Sequence, residues 1–222
     1  MKVIIVHKNE RSLEASRQSA VEQVGEGNVF LVSKKPFAAS LRKAFAMTVN
    51  NQWEWMTLIG GDQILRKGAI ARLKEEIAKA KDNVFRISGH GYDHLLMRNR
   101  MMAPCVYRGS LMAKALKINT EGRVQPESHV LRVMKSKGKI PVFIDDILAT
   151  HDKGQFYKDI YNKGYFEASK ILGYIINNDI IENLKKSKNK DHEVFLLGII
   201  DFIEDTRRTP EEALELLNLK EK

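Results

Sequence analysis

The sequence has very little cysteine and no long apolar run. Cys105 is the one cysteine among 222 residues, so no disulfide can form within the chain. The apolar run Val3–Val6 is too short for a signal peptide, and those at 171–176 and 194–203 are too short to cross a bilayer. We therefore expect a soluble protein in the reducing cytoplasm, with contact to a membrane surface as the alternative.

Several signatures of nucleic-acid binding are also missing. The chain has no zinc-ligand spacing, no aromatic RNA-binding signature and no basic heptad region. Its formal net charge of +9, from 37 basic and 28 acidic residues, suits an anionic sugar nucleotide, an acidic acceptor or anionic lipid equally well. We therefore do not expect nucleic acid to be the main partner.

Short apolar segments alternate with helical segments over the first ninety residues. The predicted strands are Lys2–Val6, Val29–Val32, Trp55–Ile59 and Val84–Ser88, and the predicted helices are Ser12–Gln23, Phe37–Val49 and Lys67–Ala80. This β-α-β-α-β-α-β order predicts an α/β fold with a doubly wound, mostly parallel central sheet and helices on both faces.

The second half of the chain is less regular. We predict a short strand at Val106–Arg108, a helix at Glu127–Gly138, a strand at Ile140–Ile144, and mostly helices from Lys153 onward. The expected organisation is one α/β domain at 1–152 that carries the functional site, with a helical C-terminal extension at 153–222 packed on it. The lysine-rich segment 185–190 offers a contact for a membrane surface, although such runs are usually solvated loops.

In an open parallel sheet, ligands bind beyond the carboxyl ends of the strands. The loops at those ends are His7–Arg11, Ser33–Pro36 and Gly60–Gln63, and they carry the polar side chains of His7, Asn9, Arg11 and Ser33. Gly60 and Gly61 allow backbone to approach a ligand, and Asp62 then supplies a carboxylate of the kind that holds Mg²⁺ with substrate phosphates. The alternative is a tight turn in which Asp62 caps the next helix.

The order of these features resembles glycosyltransferase family 2. The matching segments run from residue 2 to about residue 170: Val3–Gln23, Ile59–Leu65 with Lys67–Ile70, Pro104–Leu111, Pro126–Leu131 with Lys137–Lys139, and His151-Asp152 with Tyr157 to Gly164. They look like the family's opening strand and helix, its Asp-x-Asp segment, its Tyr-Arg strand, its Glu-Asp segment and its His-containing C-terminal element.

The resemblance implies a GT-A-type fold and an inverting sugar transfer from a nucleotide-sugar donor to a glycan or lipid-linked acceptor. It implies a divalent cation, Mn²⁺ or Mg²⁺, held by Asp62, with His151 as a second ligand or a phosphate contact. Glu127 matches the candidate general base, which takes the proton of the acceptor hydroxyl. Arg108 matches the family's Tyr-Arg position and is expected among the donor-binding residues.

The sequence departs from the family pattern at two positions. Gly60 stands where the first aspartate of Asp-x-Asp is expected, and Ser128 stands where the aspartate of Glu-Asp is expected. These departures leave open a non-catalytic protein that keeps the fold and binds the same ligands. A basic nucleic-acid-associated protein and a nucleotidyltransferase are further alternatives, but the loop His7–Arg11 lacks the glycines that a nucleotidyltransferase phosphate loop requires.

Three acidic positions outside the motifs leave alternatives open. Asp145 and Asp146 end a predicted strand and are the next candidates for the base. Asp93 lies next to His94 in a segment that begins Gly89-His90-Gly91, which we interpret as an acceptor-side loop in preference to a metal cluster.

Overall fold

The computed structural model describes residues 1–123, 125–170, 178–206 and 208–221. Within them the strands are β1 (Lys2–Val6), β2 (Val29–Val32), β3 (Trp55–Gly60), β4 (Gln63–Leu65), β5 (Val84–Asp93), β6 (Arg98–Arg108) and β7 (Ile140–His151). The α-helices are α1 (Leu13–Val24), α2 (Phe37–Asn50), α3 (Ala69–Lys79), α4 (Gly109–Leu116), α5 (Pro126–Ser136), α6 (Tyr157–Lys170), α7 (Asn178–Lys186), α8 (Lys190–Ile203) and α9 (Pro210–Leu216).

The strands form one sheet in the order β2-β1-β3-β6-β5-β7-β4. Strands β1, β2, β3, β5 and β7 run in one direction, and β6 and β4 run in the other. The predicted mostly parallel central sheet is therefore confirmed. The positions of the antiparallel strands β4 and β6 in the sheet cannot be predicted from the alternation of strands and helices along the chain.

Strand β1 shows why the sheet carries helices on both faces. Ile4 and Val6 belong to one hydrophobic cluster, which includes residues of α2, α4 and α5, whereas Val3 and Ile5 belong to a second cluster with residues of α1 and α3. A strand that is apolar at every position buries both of its faces, which is typical of a central parallel strand. The predicted doubly wound arrangement is thus confirmed.

The chain divides into two compact units. The first comprises Met1–Asp93 and Arg98–His151 and contains the sheet with α1 to α5. The second comprises His94–Met97 and the chain from Asp152 onward, and it contains α6 to α9 around a separate hydrophobic cluster. The functional division at residue 152 into a catalytic domain and an extension stays a prediction.

The start of α9 follows the sequence closely. Pro210 is at the first turn, and the Thr209 side chain accepts a hydrogen bond from the Glu212 backbone while the Glu212 carboxylate accepts one from Thr209. This reciprocal cap satisfies two backbone donors that a helix start otherwise leaves unpaired.

The segment from Gly89 to Arg108 corrects the prediction. The expected loop at 89–93 is the outer half of β5, and the expected short strand at Val106–Arg108 is the end of the eleven-residue β6. The two strands form an antiparallel hairpin, in which Asp93 pairs with Arg98. The hairpin was missed because glycine and charged residues replace the apolar alternation by which a strand is usually recognised.

Among the described residues, no helix has the length and apolarity needed to cross a membrane. The apolar run at 171–176 lies outside the described residues.

Candidate active site at the carboxyl edge of the sheet

The carboxyl ends of the first three strands lie side by side. Val6 pairs with Val32 on one side and with Gly60 on the other. Beyond these pairs, the His7 backbone donates to the Val32 carbonyl at 3.1 Å and the Gly61 backbone donates to the Val6 carbonyl at 2.9 Å. The structure therefore brings the three predicted ligand-binding loops to one edge.

The loop after β1 packs closely on the loop after β3. A Cβ atom at Gly61 would lie 2.5 Å from a carboxylate oxygen of Glu10 and 2.9 Å from the Cβ of His7, so a side chain at position 61 has no room. Asn9 adopts a left-handed backbone with φ of 66°, and its N–H donates to His7 Nδ1 at 3.3 Å. Glycine at 61 is therefore required for the close approach of the two loops.

A cavity of about 210 Å³ opens at this edge within the first unit. Its lining residues are Val6, Phe37, Leu58, Ile59, Gly60, Asp62, Gln63, Cys105, Glu127 and His151, and we call it the Asp62 cavity. It brings together four predicted site residues from three distant parts of the sequence. The other predicted donor-binding residues at this edge, His7, Asn9, Arg11, Ser33 and Gly61, flank these strand ends and are not among those lining residues.

Asp62 and His151, which line the Asp62 cavity, belong to a chain of ionisable side chains that continues to Asp93 and Arg100. Oδ2 of Asp62 lies 3.2 Å from Nε2 of His151, the last residue of β7. Nδ1 of the same imidazole lies 3.5 Å from Oδ2 of Asp93, and Asp93 pairs with Arg100 at 2.8 Å. His151 and Asp93 are both buried, whereas Asp62 is half-buried. The imidazole is thus held between two carboxylates, of which Asp62 faces the cavity.

Another part of the cavity wall carries Glu127, in the first turn of α5. Oε1 of Glu127 accepts a short hydrogen bond from the Tyr107 hydroxyl and lies 3.5 Å from an Arg86 guanidinium nitrogen. Burial, and next the charge of Glu127, raise the pKa of Tyr107 well above its usual value, so the hydroxyl keeps its proton and donates it. Glu127 is therefore held by two neighbours in a fixed orientation.

The thiol of Cys105 lines the same cavity and is fully buried. Burial, and next the charge of Glu127, raise the pKa of this thiol far above its usual value. A thiol that stays protonated is a poor nucleophile, so Cys105 contributes apolar lining.

Arg108 is a correction to the predicted site. It pairs with Trp55 at the opposite end of β3 from Gly60, and its guanidinium lies 4.4 Å from the centre of the Trp55 ring. Its nitrogens donate to the carbonyls of Val84, Ala80 and Lys81. Arg108 therefore lies at the amino edge of the sheet, whereas the other predicted donor-binding residues lie at the carboxyl edge.

The alternative candidates for the general base, Asp145 and Asp146, lie at a bulge of β7. Asp145 is fully exposed and lies 3.6 Å from His90, and Asp146 forms an ion pair with Arg72 of α3 at 2.7 Å. Neither lines the Asp62 cavity, which leaves Glu127 as the base candidate among the cavity residues.

The sequence matches no protein-family model and no curated protein. The solved structures with a similar fold include a mannosyltransferase from Pyrobaculum calidifontis in complex with GDP-Man and Mn²⁺, at 9% identity over 97% of this chain and 74% of that chain, with a TM-score of 0.48. The mostly parallel central sheet with helices on both faces is consistent with a GT-A-like fold.

Two further similar structures are a glycosyltransferase involved in the glycosylation of the major capsid of PBCV-1 and a cytidylyltransferase from Leptospira borgpetersenii. The first has 11% identity over 68% of this chain and 93% of that chain, with a TM-score of 0.46. The second has 12% identity over 83% of this chain and 93% of that chain, with a TM-score of 0.46. Similar structures thus include both glycosyltransferases and nucleotidyltransferases.

Three residues of the site were not predicted from the sequence as members of it: Asp93, Tyr107 and Arg86. Asp93 lies beside His94 in the sequence, but its partner is His151, which lies on the neighbouring strand. Tyr107 belongs to the segment that resembles the family's Tyr-Arg strand, and its contact with Glu127 joins that strand to a helix that starts nineteen residues later in the sequence. Such contacts join residues that are far apart in the chain, so no local sequence pattern indicates them.

Proposed function

We propose that this chain is a glycosyltransferase that moves a sugar from a nucleotide-sugar donor to a glycan or lipid-linked acceptor, with inversion and with a divalent cation. The observation that carries this proposal is the Asp62 cavity, which places a carboxylate–imidazole pair and a separate, fixed carboxylate around one space at the carboxyl edge of the sheet. These are the two functions that the transfer requires: stabilisation of the leaving diphosphate and removal of the acceptor's proton.

The Asp62–His151 pair fits a divalent cation. Two neighbouring ligands of an octahedral ion, with bonds of about 2.1 Å, lie about 3.0 Å apart. The 3.2 Å between Asp62 Oδ2 and His151 Nε2 suits that arrangement. An imidazole ligand suits transition metals better than Mg²⁺, so we propose Mn²⁺ as the first ion to test.

Asp62 and His151 would hold the cation, whose positive charge stabilises the negative charge that develops on the leaving nucleoside diphosphate. Gly60 and Gly61 leave room for the diphosphate to approach the backbone, and the polar loop His7–Arg11 would bind the nucleoside side of the donor. These donor contacts are proposed from the position of the loops at the strand ends.

Glu127 would act as the general base. Tyr107 and Arg86 both contact Oε1 of Glu127, so we assign Oε2 as the oxygen that accepts the proton of the acceptor hydroxyl. The two contacts hold the carboxylate in one orientation, which a positioned base requires. Attack from the side of the sugar opposite to the leaving group then inverts the anomeric carbon.

The first experiment measures the melting temperature of the protein with common nucleotide sugars, with and without Mn²⁺. A ligand that binds only the folded state raises the melting temperature, and we expect the largest increase when donor and Mn²⁺ are both present. The Asp62→Asn variant should lose the Mn²⁺-dependent part of this increase, because the amide keeps the shape but not the charge of the ligand.

The second experiment identifies the products formed with a donor that binds. Release of a nucleoside diphosphate supports sugar transfer, whereas release of pyrophosphate from a nucleoside triphosphate and a sugar phosphate would replace the proposal with a nucleotidyltransferase. Tight donor binding without turnover in the presence of varied glycan and lipid-linked acceptors would instead support the non-catalytic alternative.

A further inference from the structure

We propose that Asp93, held by Arg100, is a positioning residue that orients His151 as a ligand for the cation. This inference rests on the proposed metal-dependent function, and it assigns roles to two residues outside the motifs. Asp93 does not line the Asp62 cavity, so it would act only through the imidazole.

The backbone places Asp93 and His151 side by side. They are the last residues of β5 and β7, and they are directly paired in the parallel register of these strands. Oδ2 of Asp93 lies 3.5 Å from Nδ1 of His151, which is somewhat longer than an ordinary hydrogen bond of about 3 Å. The strand pairing fixes the two backbone positions from which these side chains extend.

Arg100 offsets the free-energy cost of burying the Asp93 carboxylate. Asp93 is only 1% exposed, and a carboxylate at such a position is costly unless it is paired and hydrogen-bonded. Arg100, on the neighbouring strand β6, donates to Oδ2 of Asp93 at 2.8 Å. The same oxygen therefore faces both the guanidinium and the imidazole, and Arg100 fixes where that oxygen lies.

The orientation of His151 follows from this arrangement. A carboxylate beside Nδ1 favours the imidazole form with hydrogen on Nδ1, which leaves a lone pair on Nε2. Nε2 lies 3.2 Å from the Asp62 carboxylate, so in this form of the imidazole a cation between the two groups would be held by both of them. Asp93 would therefore orient the imidazole so that Nε2, on the side of Asp62, is the nitrogen that binds a cation.

The test is a calorimetric titration of the ligand-free protein with Mn²⁺, which needs no substrate. Partners of a metal-binding histidine typically contribute a factor of roughly 10–100 in metal affinity. We expect the Asp93→Asn variant to bind Mn²⁺ weaker by that factor, and the Arg100→Gln variant to show a smaller loss in the same direction.

The matched control is Asp201→Asn. Asp201 is also fully buried and paired with an arginine, Arg208, and it accepts a hydrogen bond from the Tyr161 hydroxyl at 2.8 Å, but it lies in the second unit. This variant should lower the melting temperature and leave the Mn²⁺ affinity unchanged. A merely structural role for Asp93 would give the same pattern as the control.

Three outcomes separate the two proposals. If Asp93→Asn binds Mn²⁺ more weakly than the wild type and Asp201→Asn does not, the inference is supported. Wild-type affinity in a folded Asp93→Asn, with binding lost in Asp62→Asn, overturns the inference and leaves the proposed function in place. If the wild-type protein binds no Mn²⁺ and gains no donor affinity from it, the metal-dependent function and the inference both fail.

Discussion

The replacement of Gly60 by alanine tests whether the position of the Asp62 carboxylate matters. A Cβ atom at position 60 would lie 2.4 Å from Oδ1 of Asp62. Ordinary van der Waals contact begins at 3.4 Å, so this oxygen must move by about 1 Å. The obstacle is the end of a flexible side chain, and the Gly60 backbone is not in the left-handed region, so the fold can accept the change at little cost.

The metal site cannot accept a movement of that size. Ligand distances at metal sites are held to about ±0.2 Å. Oδ1 and Oδ2 belong to one rigid carboxylate, so moving Oδ1 by about 1 Å also moves Oδ2, the oxygen that faces His151, out of its present position. We therefore expect Gly60→Ala to weaken Mn²⁺ binding by roughly 10- to 100-fold, approaching the loss in Asp62→Asn, with a melting temperature close to that of the wild type. The assay is the Mn²⁺ titration together with a thermal melt.

Gly27→Ala provides the matched control. Gly27 lies in a short 3-10 turn before β2, no atom lies within 4 Å of the position its Cβ would take, and its backbone is not left-handed. This variant should match the wild type in both measurements. If Gly60→Ala also binds Mn²⁺ as the wild type does while Asp62→Asn does not, then the carboxylate relocates freely and the geometric argument is refuted.

Three further predictions concern the candidate base Glu127, Arg108 at the amino edge of the sheet, and the second unit. Glu127→Gln should lower turnover by roughly 10²–10⁴-fold with donor affinity unchanged, and lower donor affinity at normal turnover would reassign Glu127 to binding. Arg108→Ala should lower stability by about 1–3 kcal/mol in a denaturant titration and leave nucleotide affinity unchanged; reduced affinity would return Arg108 to the site. Gly164→Ala should lower the free energy of unfolding by about 1–3 kcal/mol, because its Cβ would lie 2.2 Å from the Phe195 carbonyl oxygen where α6 packs on α8. An unchanged melting temperature would show that the two helices can move apart at little cost.

The fold brings four of the predicted site residues together. Gly60, Asp62, Glu127 and His151 were selected from separate motifs, and all four line one cavity. Glu127 and His151 could be placed near Asp62 only through the family resemblance, because their separation in the sequence carries no distance information. The resemblance also suggested Arg108, and there it led to the wrong edge of the sheet.

The sequence alone determined the features that depend on local pattern. The uninterrupted apolar run of β1 requires burial on both faces, which predicts a central parallel strand. Gly60 and Gly61 before Asp62 likewise indicate a close backbone approach at a strand end.

Only the tertiary structure decided which of these residues act together. The hairpin of β5 and β6 carries no apolar alternation, yet it places Asp93 beside His151 and Arg100 beside Asp93. The orientation of Glu127 depends in the same way on Tyr107 and Arg86, which lie on neighbouring strands. The physical reason is that burial makes an ionised side chain depend on its partners, and those partners are supplied by strand pairing, which joins residues far apart in the chain.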